Sequence, residues 1–195
     1  MYKLPGQEEL LYYMLYTAAA LLSLIASLYL LLRRGNAFAP DIMSPARLRR
    51  WTAALFASMT LSHVAYLPGV FLTSDDDILL CNLIGALFES MTVIPLAIVV
   101  LICMLQDRRR PLWSVWVMVA PLVIGMVLCV VSRSDALLPT LLGYFLLMGI
   151  GLIIYMVREV RRYGRWLRNN YADLEHKEVW QRFLEQAVIL LMVSF

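Results

Sequence analysis

Charge is scarce in this sequence. Only 16% of its 195 residues are Asp, Glu, Lys or Arg and 62% are hydrophobic, with a mean hydropathy of +0.73, whereas a water-soluble domain carries about 25% charged and about 45–50% apolar residues. Water is therefore not its main solvent. Histidine is nearly missing: His63 lies in an apolar run and His176 in a polar segment, which is too few ligands at one level for haem or a held metal. The three cysteines, Cys81, Cys103 and Cys129, sit in separate apolar runs without a CxxC pair. Cys81 and Cys129 fall near the same face, within reach of a disulfide in an oxidising compartment, but small buried hydrophobes are the favoured reading. Neither a GxSxG elbow nor an HExxH pair occurs, so no enzyme and no cofactor is expected.

What is there is a series of apolar runs at Leu10–Leu32, Trp51–Leu72, Leu79–Leu105, Leu112–Val131 and Leu137–Val157, with a sixth starting near Phe183. Each complete run approaches or exceeds the roughly 20 residues needed to cross about 30 Å of hydrocarbon. Without water, every backbone N–H and C=O needs a partner inside the segment, and runs lacking period-two alternation can satisfy that only as helices. The expected fold class is all-α: a polytopic integral membrane helical bundle of five complete spans plus the start of a sixth. The first run is read as a retained anchor, because Glu8 and Glu9 stand where a signal peptide is basic and Pro40 follows its A-x-A pattern.

Fifteen of the 17 basic residues fall in three segments: 33–50, 108–110 and 158–182. Basic residues are retained on the cytoplasmic side, which places these segments inside and the N-terminus outside. Asp75, Asp76, Asp77 and Asp135 lie in the opposite loops, and Lys3 and Arg133 are the two basic exceptions. The organisation expected is a five-span bundle over 1–157, a cytoplasmic connector over 158–182 and the start of a sixth span over 183–195. On this topology a cytoplasmic C-terminal domain needs a seventh span, so the chain is expected to be part of something longer. The net charge of +3 follows from the inside rule and is no evidence for nucleic-acid binding.

Two ionisable residues lie deep in spans, where each costs at least about 2.5 kcal/mol and is a functional candidate by default. His63 lies about 18 Å from the inner edge and Glu89 about 15 Å from the outer edge at 1.5 Å per residue, nearly one level, on consecutive helices. A direct His63–Glu89 contact, completed by Ser62, Ser90 or Thr92, is the sharpest residue-level expectation. The competing reading makes both packing features, with His63 bonded to a backbone carbonyl. Pro68, Pro95 and Pro121 mark kink positions.

In the connector, Val160, Tyr163, Leu167, Tyr171 and Leu174 share one helical face, and Arg158, Arg161, Arg162, Arg165 and Arg168 lie opposite. These arginines suit anionic lipid headgroups and Trp166 and Trp180 suit the interface. Gly164 and Asn169–Asn170 predict a break near 169–170. The stretch YGRWLRNNYADLEHKEVWQ at 163–181 resembles the linker of bacterial membrane-bound AraC-type (helix-turn-helix) regulators, related in layout to membrane sensor kinases. That resemblance implies a multi-pass inner-membrane sensory or anchoring region, with DNA bound only through a C-terminal domain outside this chain. The lipid bilayer is the expected partner, with self-association a further one. A small transporter or channel subunit using His63 and Glu89, and a passive assembly subunit, are the alternatives.

Overall fold

The computed structural model describes residues 7–33, 45–105 and 110–170. Tyr171, Leu174, His176, Trp180 and the start of the expected sixth span lie outside them. The described residues form only helices: α1 (Gln7–Leu32), α2 (Ala46–Tyr66), a 3-10 turn (Leu67–Val70), α3 (Asp75–Met91), a π turn (Thr92–Leu96), α4 (Ala97–Met104), α5 (Trp113–Ser132) and α6 (Leu138–Asn170).

Four helices are long and apolar enough to cross a membrane: Leu10–Leu32, Asp75–Met104, Trp113–Ser132 and Leu138–Asn169. Three of them, α1, α5 and α6, expose large apolar side chains, with Leu22, Leu32, Val131 and Leu147 each more than two-thirds exposed. Soluble monomers rarely show apolar patches of such extent, so this is a membrane protein. The expected run Trp51–Leu72 is not one of the four. Its helix, α2, starts at Ala46 and so takes in Arg47, Arg49 and Arg50; it carries hydroxyls through its middle and tightens into a 3-10 turn at Pro68.

α2 packs between α1 and α3, antiparallel to both. Small residues make the α1–α2 seam: Ala20, Ser23 and Ser27 are buried along one stripe of α1 against Ala53 and Thr60. Ser23 Oγ and Thr60 Oγ1 lie 2.9 Å apart, and Ser27 donates to the Ala53 carbonyl at 2.9 Å. Small side chains let apolar helices approach, and hydroxyls join them at about 0.6–1 kcal/mol each. The apolar core lies between α4, α5 and α6, centred on Val99, Val115, Val119, Leu152 and Met156.

α3, the π turn and α4 run on as one helix. Pro95 inside the turn is fully buried. It has no N–H for the ladder and its ring presses on the preceding turn, and the wider π turn accommodates both. The proline signal in the sequence thus marks a change of helical register. Pro121 lies within α5, which the structure keeps as one helix.

α5 ends in a Schellman cap: Arg133 is left-handed (φ 48°), and Ser134 N–H donates to the Cys129 carbonyl at 3.2 Å. Arg133 also pairs with Asp77 at 3.6 Å, both side chains being about half exposed, which neutralises one of the two basic exceptions. The left-handed backbone costs a non-glycine residue about 1–2 kcal/mol, while an exposed pair contributes at most about 1 kcal/mol. Arg133→Gly is therefore expected to raise the unfolding free energy by several tenths of a kcal/mol. A lowered thermal midpoint would show that the ion pair outweighs the strain.

Candidate functional site

A polar cluster starts from α2, which places His63 and Tyr66 three residues apart on neighbouring positions of one face. His63 Nδ1 lies 2.7 Å from the Met59 carbonyl of its own helix, and the imidazole packs on Tyr16 of α1 with ring centroids 4.9 Å apart. Glu89 takes a different partner: Tyr66 Oη donates to its Oε2 at 2.9 Å. Tyr16 lies between the two halves, its ring 5.9 Å from that of Tyr66 and 4.2 Å from that of Tyr12. The expected direct His63–Glu89 contact is thus replaced, among the described residues, by a relay of two tyrosines. The physical reason is reach: Tyr66 stands one helical turn nearer the end of α2, and its longer side chain arrives at the carboxyl first.

The three hydroxyls expected to complete the pair do other work. Ser62 donates to the Gly85 carbonyl at 3.2 Å, Ser90 to Leu87 at 2.8 Å and Thr92 to Phe88 at 2.8 Å. Gly85, one turn before Glu89, makes the relay possible. A Cβ there would come within 2.6–2.8 Å of three atoms of the Tyr66 ring, so the ring lies flat over bare backbone and points its hydroxyl at Glu89.

Beside Glu89 lies a cavity of about 630 Å³ bounded by α3, α5, the α5–α6 turn and the start of α6. Leu122, Met126 and Phe145 form much of its apolar wall, and Asp135 is its second carboxyl group. The three cysteines are free thiols, so Cys81 and Cys129 are not joined. No group of three or more His, Cys, Asp or Glu side chains among the described residues is arranged to hold a metal ion.

The opposite end of the bundle holds a second site. Arg110, 2% exposed, donates from Nε to Glu159 Oε2 at 2.6 Å and from Nη1 to the Leu105 carbonyl at 3.3 Å. Arg162 Nη1 donates to the other Glu159 oxygen at 2.7 Å. Arg47 Nη2 donates to the Arg110 carbonyl at 2.6 Å, so residues from all three basic segments meet here. Trp51 of α2 and Trp116 of α5 pack on each other at the edge of the apolar core, ring centroids 5.5 Å apart. Burial alone would push the Glu159 carboxyl up, but the hydrogen bonds and charges of Arg110 and Arg162 outweigh it and hold it below the usual carboxylate range.

This latch fixes the C-terminal part of α6. Val160, Gly164 and Leu167 are buried, Tyr163 is half-buried, and Arg158, Arg161, Arg162, Arg165 and Arg168 are exposed, the division the helical period predicts. Tyr163 and Trp166 stack with centroids 6.0 Å apart. The expected break near 169–170 falls at the limit of the described residues, where α6 is still helical.

No family model matches the chain, and neither the curated proteins nor the solved structures include one that is significantly similar to it.

Proposed function

We propose that the chain is the membrane sensory region of a bacterial signalling or transcription-regulating protein. In this reading α2 also crosses, giving five spans in the inner membrane with the N-terminus outside, and residues 183–195 begin a sixth. The acidic end carrying Asp75–Asp77 and Asp135 faces outward and the Arg47–Arg110–Glu159 end faces the cytoplasm. The 158–182 connector carries a change in the bundle toward an output domain outside this chain. The resemblance at 163–181 makes that domain AraC-type, and any DNA contact belongs to it.

The observation that carries this reading is the continuity of α6. Its 33 residues extend about 50 Å, against about 30 Å of hydrocarbon, from the cavity at one end to the basic amphipathic segment at the other. A passive anchor has no need of a rigid extension clamped by a buried ion pair. Helices are also well suited to passing on small shifts or rotations between states.

The test is a phase experiment in the cell's own copy of the gene. One alanine inserted between Arg168 and Asn169 leaves the latch and Leu167 in place and turns the residues beyond the insertion by about 100°; seven inserted residues bring them back within about 20°. The transcript profile is expected to change with one residue and return with seven. Identical profiles in all three strains would overturn the signalling reading in favour of a passive assembly subunit or a transporter.

A further inference from the structure

We infer that the cavity beside Glu89 binds a lipophilic monocation, an ammonium or phosphonium group carried on an apolar body. Its volume of about 630 Å³ falls within the roughly 300–1,000 Å³ of small-molecule sites. The wall is contributed by Leu122 and Met126 of α5 and by Leu141 and Phe145 of α6, and the ionisable groups lining it are Glu89 and Asp135. Both are acids, and among the described residues no Lys, Arg or His side chain lines the cavity.

Each feature narrows the occupant. Apolar walls discriminate against small, strongly hydrated ions, whose desolvation nothing here replaces. Two carboxyl groups discriminate against anions. A neutral apolar molecule would strip water from Glu89 and offer nothing in return, whereas a cation offsets that cost. Tyr66 donates to Oε2, which restrains the carboxyl at the cavity wall and leaves Oε1 outside that bond. The surroundings agree in sign: Asp75, Asp76, Asp77 and Asp135 cluster at this end, and Arg133 is the basic residue there among those described, its charge set against Asp77. Such a field concentrates cations at the mouth. As the stimulus of the signalling region proposed above, this ligand class rests on that reading; as an occupant of the cavity it does not.

The experiment uses the full-length protein in phosphatidylcholine nanodiscs, with tetraphenylphosphonium as probe, tetraphenylborate as the anion of matching shape, and empty discs as background in equilibrium dialysis. Saturable binding of one cation per chain is expected, with none of the borate. Glu89→Gln should weaken it at least ~10-fold, about 1.4 kcal/mol, and Asp135→Asn a few-fold. Ala86→Phe, which puts a ring into the cavity and leaves both acids in place, should weaken it several-fold. Unfolding midpoints establish which variants are folded; should Glu89→Gln fail to fold, the other two decide. Absence of saturable binding, equal binding of the borate, or folded variants that bind as wild type would each overturn the site. Cation binding that leaves the transcript profile unchanged would keep the site and overturn its role as a stimulus.

Discussion

Glu159→Ala is expected to lower the free energy of unfolding by about 3–5 kcal/mol, the range for removing one partner of a buried ion pair. The Arg110 guanidinium is 2% exposed, and arginine does not shed its proton in a protein, so without the carboxylate it stays charged in a site from which water is excluded. Arg110→Met should cost less. The carboxyl left behind can take up a proton and still has Arg162 at 2.7 Å. The double variant Arg110→Met/Glu159→Leu should recover most of the loss, since apolar residues of similar volume often replace a buried pair without penalty. Unfolding in mixed micelles, followed by far-ultraviolet circular dichroism, ranks the three; a double variant as unstable as Glu159→Ala would show that the latch supplies more than charge neutralisation. The pH dependence has a definite sign. Because the folded carboxyl is held below its ordinary value, its contribution is fully present above the unfolded value of about 4.3 and is lost as pH falls through the folded value. Stability should therefore decline in acid below about pH 4, and Glu159→Gln should lack that part of the decline.

Gly85→Ala is expected to destabilise by about 1–2 kcal/mol, although alanine is the better helix former. Propensity favours the substitution by about 0.5–1 kcal/mol, whereas overpacking costs about 1–3 kcal/mol. The second effect wins because the new Cβ meets three atoms of the Tyr66 ring at 2.6–2.8 Å, which are relieved only if the whole ring swings away from its place over the α3 backbone. Displacing the ring also breaks the Tyr66–Glu89 hydrogen bond. Tyr66→Leu, which is destabilising alone, should make the second substitution nearly neutral, and a double-mutant cycle measures that coupling. Strict additivity would show that Tyr66 does not lie over Gly85.

Helical class and the long apolar runs can be read directly, because in a membrane one length scale and one hydrogen-bonding rule decide them. Where α2 begins and ends is less legible: Arg47, Arg49 and Arg50 read as a loop, but the structure winds them into the helix so that Arg47 reaches the Arg110 carbonyl. The levels of His63 and Glu89 place both near one cluster, yet depth says nothing of which neighbour reaches first. Tyr66 reads as one more aromatic in an apolar run, and Gly85, one turn before an intramembrane acid, is the signal that could have found it. Glu159 escapes a sequence reading for another reason. The arginine stripe masks an acid on the apolar face of the same helix, between Met156 and Tyr163, and a charge in that position requires a buried partner. Arg110 contributes to topology in the sequence, and nothing local to residues 108–110 shows that this arginine turns inward.

The clamp on α6 is also a fulcrum. Glu159 stands about 31 Å from the start of the helix and about 16 Å from its described end at 1.5 Å per residue. Tilting a rigid rod about that point moves the two ends in opposite directions, and the shorter arm travels about half as far. A displacement of about 2 Å at Leu138 becomes about 1 Å of opposite sign at Asn170. Where the arginine grips the rod, and not only how firmly, therefore sets the gain and the direction of any movement delivered to Arg165 and Arg168.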